Sequence, residues 1–162
     1  MNEKIDVILA AQSAADGLTR TLASVLIQAN VSFAVTVVAP EEIAPPFAAE
    51  NVRLLRAQGD SLALWRAGLE ASAGERALLL RAGDALFDAY SLWRLLNAQR
   101  ENPRAAAVYG AARCFEPDGR EARGVDLRAV PCGVLARREA LLTALARAKT
   151  PFASAASLFA AA

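Results

Sequence analysis

The residues able to do chemistry are few, and they set limits before any fold is assigned. The chain contains no histidine. That removes Ser-His and Cys-His nucleophile pairs and the imidazole ligands of a zinc set. Cys114 and Cys132 form no C-x-x-C pair. Any general base must therefore be a carboxylate, a lysine or a tyrosine. Asp84 stands in the string RAGD, directly after an apolar run. Open α/β sheets bind ligands at the carboxyl edge of their strands, and hard divalent cations take oxygen donors there. Asp84 is a candidate ligand for Mg2+ or Mn2+, and the alternative is a carboxylate that fixes its turn or caps the next helix. Arg66 and Arg81 carry planar cationic forks suited to phosphate, provided that they face one another across a pocket. The alternative is that they are solvated arginines whose stems cover apolar surface.

The elements that must position these residues follow from the apolar patterning. IDVILA (5–10) and FAVTVVA (33–39) are β-branched apolar runs that read as buried strands. NVRLL (51–55) is a shorter strand, and ERALLL supplies a fourth over 76–80. Between the first two lies a helix, introduced by Asp16 and Gly17, with Leu18, Leu22, Val25 and Leu26 on one stripe and Arg20 and Ser24 off it. SLALWRAGLEASAG is a second helix, capped by Asp60 or Ser61 and closed by Gly74. AYSLWRLLNAQREN stops before Pro103, AAAVYGAARCF (105–115) is strand-like, VDLRAVPCGVLA holds one more strand, and ARREALLTALARA is the last helix. Trp65 and Trp93 sit among leucines and read as core or interface residues. This alternation predicts an α/β domain with a mostly parallel sheet, helices on both faces, and residues 82–86 in a loop at the carboxyl edge.

Composition narrows the class further. A chain of 162 residues with 55% apolar and 22% charged content reads as one folded domain over 1–162. A net charge of +1 gives no footprint for nucleic acid. No signal peptide is visible, and no apolar stretch approaches the roughly 20 residues of a membrane span. A cytoplasmic protein is expected. Leu141, Leu142 and Leu145, with Phe152, Leu158 and Phe159 beyond, make an apolar C-terminal stripe. The sheet must cover that stripe, or a second copy must do so in a symmetric homodimer.

Read in order, these segments resemble a family-2 glycosyltransferase of the GT-A type. The family's L-x-x-x-L-x-S-(V/I)-L-x-Q helix is matched by LTRTLASVLIQ, from Leu18 to Gln28. Its A-R-N-x-G-(L/I)-x-x-A-x-G-(E/D) helix, apolar strand and L-D-x-D-D loop are matched by LWRAGLEASAGERALLLRAGDAL, from Leu64 to Leu86. The resemblance implies a GT-A fold, a nucleotide-diphosphate-sugar donor and a divalent cation. It carries nucleotide-sugar binding onto Gln12, the polar remnant of a P-x-Y-N tetrad, onto Glu41 beyond the second strand, and onto Arg66, Arg81 and Asp84. The departures fall on polar positions: the metal loop keeps one carboxylate, Asp84, and the A-R-N start is Leu64-Trp65-Arg66. No Asp or Glu follows Glu139, so a general base would have to come from Asp118, Glu121 or Asp126.

Three functions stay open on these grounds. One is transfer of a sugar from a nucleotide-diphosphate-sugar donor to an acceptor, with impaired catalysis. Another is a non-catalytic GT-A-like module that keeps the fold for binding or assembly. The third is a nucleotidyltransferase of related architecture, suggested by VILAAQSAADG, although Gln12 stands where a phosphate loop would need glycine.

Overall fold

The computed structural model describes residues 3–13, 17–46, 48–110 and 133–148. The described elements run β1 (Lys4–Ala10), α1 (Leu18–Leu26), β2 (Ser32–Ala39), β3 (Val52–Arg56), α2 (Ser61–Glu70), β4 (Arg76–Arg81), α3 (Ser91–Glu101), β5 (Ala107–Tyr109), β6 (Val134–Arg137) and α4 (Arg138–Arg147). One six-stranded sheet results, in the order β3-β2-β1-β4-β6-β5. β1 pairs in parallel with β2 and β4, and β2 in parallel with β3. β6 runs antiparallel to both of its neighbours. The expected mixed, mostly parallel sheet is present.

Strand alternation sends residues to two separate cores. Ile5, Val7 and Leu9 of β1 pack with Leu18, Leu22 and Val25 of α1 and with α3. Ile8 and Ala10 pack on the opposite face with Leu64, Trp65 and Leu69 of α2 and with Leu141 and Leu145 of α4. β1 reads as a continuous apolar run because both of its faces are covered. Along α4, Leu141 and Leu145 are fully buried within the chain. Phe152, Leu158 and Phe159 lie outside the described residues, as do Cys114, Cys132, Asp16, Asp118, Glu121 and Asp126.

Several boundaries differ from those read in the sequence. α1 ends at Leu26 rather than Gln28, because Gln28 turns inward to make side-chain bonds of its own. α2 ends at Glu70, a turn before Gly74. There the Ser72 hydroxyl takes the Leu69 carbonyl, and Gly74 N–H donates to Asp6 on β1. Asp60, rather than Ser61, caps α2 by accepting from Ala63 N–H at 2.9 Å. Arginines from other elements finish the C-terminal ends of the helices. Arg53 donates to the Ala71 carbonyl and Arg138 to that of Leu69 at the end of α2, while Arg66 donates to Leu145 at the end of α4. Each adds a donor to a carbonyl at a helix end and places a cation at the negative end of the dipole.

Gly68 lets α2 lie close against β1 and β2. A Cβ there would lie 2.3 Å from Ile8 Cγ2 and 2.9 Å from Val38 Cγ2. Both are stiff branched side chains in the core. Alanine would favour the helix by about 1 kcal/mol, but overpacking costs about 1–3 kcal/mol and wins here. Gly68→Ala is therefore expected to lower stability in urea unfolding. An unchanged or raised midpoint would contradict this packing.

Candidate functional site at the carboxyl edge

β1 is the strand at which the connections diverge. The chain leaves it through α1 to β2 on one side and, after β3, returns through α2 on the other face to β4. The carboxyl ends of β1 and β4 thus flank a topological switch point, the place where open α/β sheets leave a crevice. The register sets Ala10 beside Arg81, and hydrogen bonds continue past the strand ends, from Ala82 N–H to the Ala10 carbonyl and from Ala11 N–H to that of Val38. The floor of the crevice is therefore fixed backbone.

Four of the five residues singled out in the sequence stand at this edge. Gln12 follows β1, is exposed, and accepts a hydrogen bond from Ser61 Oγ at 3.1 Å, which ties the end of β1 to the start of α2. Glu41 follows β2 and forms an exposed ion pair with Arg56 at 3.6 Å, while Arg56 also holds the carbonyls of Pro40 and Ile43. Arg81 ends β4, and Asp84 lies three residues on. The fifth, Arg66, has its polar partner on α4, at Leu145.

Arg81 and Asp84 form one tight turn. Asp84 Oδ2 accepts from Arg81 N–H at 3.0 Å, and Asp84 N–H donates to the Arg81 carbonyl at 3.0 Å. Gly83, at φ 100°, supplies the left-handed residue that this turn requires. Asp84 thus fixes its turn, and that engages one carboxylate oxygen. Burial pushes the Asp84 carboxyl above the usual aspartate range, against the opposing pull of the Arg81 amide and guanidinium. Alternation along β4 places Arg81 on the α2 side, with Ala77 and Leu79. Its Nε is buried without a hydrogen-bond partner among the described residues. An orphaned guanidinium donor at the mouth of a crevice is costly unless something arrives to meet it.

Trp65 joins α2 to the same strand end: its Nε1 donates to the Leu80 carbonyl at 2.8 Å, just beyond the last pairing of β6 with β4. The sequence identified this residue as core, which it is, but not as a prop under Arg81. Thr21 was missed as well. Its hydroxyl accepts from Gly83 N–H at 2.9 Å. The only signal was a polar residue one position from Leu22 on the buried stripe.

The described donors alone do not make a resident metal site. Among the described residues, no three His, Cys, Asp or Glu side chains cluster to hold an ion. Asp84 alone offers one uncommitted oxygen, and Mg2+ or Mn2+ needs near-octahedral oxygen coordination.

The sequence matches no family model and no curated protein. Solved structures do resemble it. 4-diphosphocytidyl-2C-methyl-D-erythritol synthase from Anaerococcus prevotii superposes with a TM-score of 0.64 at 12% identity, covering 98% of this chain and 82% of that one. S. aureus TarS 1-349 in complex with UDP gives 0.58 at 14% identity, covering 96% and 52%. The mannosyltransferase PcManGT from Pyrobaculum calidifontis, in complex with GDP-Man and Mn2+, gives 0.57 at 17% identity, covering 85% and 45%. The chain thus spans about half the length of those two transferases. These likenesses show the fold: a mixed α/β domain of the kind shared by GT-A glycosyltransferases and nucleotidyltransferases.

The buried Asp84 carboxyl gives a signed pH expectation. With its folded pKa raised, the native state holds this proton over a pH range in which the unfolded chain has lost it. The carboxylate therefore costs stability at neutral pH, and that cost disappears as pH falls through the folded value toward about 4. Asp84→Asn keeps an acceptor for Arg81 N–H but carries no charge. Urea unfolding is expected to show Asp84→Asn more stable than wild type at pH 7, with the gap closing on acidification. Parallel pH profiles for the two proteins would contradict the assignment.

Proposed function

We propose that the chain binds a nucleotide diphosphate, as such or as a nucleotide-diphosphate sugar, at the carboxyl edge of β1 and β4, with Arg81 as the counter-charge to phosphate. The observation that carries this reading is the buried, unpartnered Nε of Arg81 at the switch point. A guanidinium presents parallel donors to phosphate oxygens and needs no cation to do so. Gln12 and the Ser61 hydroxyl border the same opening and can orient a sugar or ribose. Asp84 acts on the protein rather than on the ligand, by holding the Arg81 backbone.

Similar folds bound to UDP and to GDP-Man support the nucleotide class. This reading makes the domain a GT-A-like binding module. Sugar transfer would need a general base, and the carboxylates the sequence offers for that role, Asp118, Glu121 and Asp126, fall outside the described residues. A nucleotidyltransferase is the second reading, favoured by a specific observation: the superposition on the Anaerococcus synthase, which covers most of both chains. Release of pyrophosphate from CTP in the presence of sugar-phosphate or polyol-phosphate acceptors would select it.

Among the described residues no helix is long and apolar enough to cross a membrane. Calorimetric titration with UDP and GDP, in chelator and in Mn2+, tests the binding reading. Binding is expected in chelator, weakened by about 1–3 kcal/mol in Arg81→Ala. Binding that requires Mn2+ and is lost in Asp84→Ala would restore the cation at Arg81's expense. Absence of binding under both conditions would refute the site.

A further inference from the structure

The loop that carries Arg81 and Asp84 does not stand alone: helix α1 holds it along its length through side chains that never reach the crevice. The contact begins with Gly83 N–H on Thr21 Oγ1, at 2.9 Å, where Gly17 and Gly83 approach so closely that a Cβ on Gly17 would lie 3.2 Å from Gly83 Cα. One turn along the helix, Leu86 N–H donates to Ser24 Oγ at 3.0 Å, and that hydroxyl is itself fixed by donating to the Thr21 carbonyl at 2.7 Å. At the far end, Gln28 closes the series with both halves of its amide. Its Nε2 donates to the carbonyls of Asp88 and Ser24, at 2.6 and 3.0 Å, and its Oε1 accepts from Leu92 N–H at 2.8 Å, inside the first turn of α3. Ala29 N–H adds a bond to the Ala89 carbonyl at 2.7 Å. Thr21 and Gln28 are buried polar side chains on an otherwise apolar face.

Such an arrangement is more than helix packing requires. Leucine at positions 21 and 28 would bury as well, but would leave Gly83 N–H, Leu92 N–H and the Asp88 carbonyl without these partners. A spacing of three residues sets Thr21 and Ser24 along one face of α1, and Gln28 continues that line just past the helix end. Their side chains act as a ladder that gives an irregular loop the fixed backbone that a strand would otherwise supply.

We infer that Thr21, Ser24 and Gln28 are positioning residues for the phosphate-facing turn, so that α1 and the segment from 82 to 92 move as one unit and ligand affinity depends on Gln28 from outside the crevice. The inference rests on the binding reading of Arg81 proposed above. Diphosphate binding is correspondingly expected to protect amides along the whole ladder, not only those of the turn.

Amide hydrogen exchange and UDP titration, run on the same proteins, separate this inference from the binding reading. In ligand-free protein, Thr21→Val and Gln28→Ala are expected to speed exchange at Gly83, Leu86 and Leu92 by about tenfold or more, with β1 and β4 unchanged. The same variants are expected to bind UDP about tenfold more weakly, and Thr21→Ser, which keeps the hydroxyl, is expected to restore both readouts. If Gln28→Ala does not fold, Thr21→Val and Thr21→Ser suffice as the pair. Faster exchange with unchanged UDP affinity in a folded variant overturns the positioning role while leaving Arg81 as the phosphate site. Unchanged exchange overturns the ladder itself. Wild-type protein that does not bind UDP, whatever the exchange result, overturns the binding reading and the affinity claim with it.

Discussion

The central constraint is that β1 is paired in parallel on both sides and covered on both faces. Strands buried in this way leave no surface for chemistry along their length. Open backbone remains at the ends, where the loops that leave the carboxyl ends of β1, β2 and β4, with the start of α2 after β3, bring polar groups that a ligand could meet. The connections pass to opposite faces on the two sides of β1, which opens the crevice between β1 and β4. Everything proposed for this protein follows from what those loops contain and from how they are held.

What they contain is sparse in acids and better supplied with hydrogen-bond donors. Asp84 is absorbed by its own turn, and Glu41 by Arg56. Among the described residues, the buried Nε of Arg81 is left without a partner. The proposed anion site rests on that donor. Elsewhere the arginines have a different use: Arg53, Arg66 and Arg138 complete helix ends, which lets alanine-rich helices of ten residues stop cleanly without glycine.

Much of the fold was legible in the sequence, because burial writes itself as pattern. The β-branched run at 5–10, the stripe Leu18-Leu22-Val25 and the loop after ERALLL all lie where periodicity puts them. Parts of the motif resemblance were legible without the work they do in the fold. Ile8 and Val38 leave no room for a Cβ on Gly68, and Ser24 and Gln28 hold the loop. Ser24 was read as merely off the apolar stripe. A polar residue beside a buried stripe looks the same in sequence whether it meets water or an orphan amide. The contact of Arg66 with Leu145 and the antiparallel placement of β6 were not legible at all. Both depend on where the chain returns, 79 residues on for the Arg66 contact and at β6 for the pairing with β4, which no local pattern encodes. The length of α2 was misread because Gly74, a plausible helix stop, is used instead for close approach to Asp6.

The central claim is a location: a diphosphate at the carboxyl edge, between β1 and β4. Backbone amide chemical shifts followed during addition of UDP test it most directly, since they report position without assuming a role for any side chain. The account predicts saturable changes concentrated at Gln12, Ser61, Ala82, Gly83 and Asp84, with smaller ones at Leu86 and Leu92. Changes centred on the opposite edge, around Lys4, Arg76 and Arg100, would contradict it, as would a spectrum that does not respond.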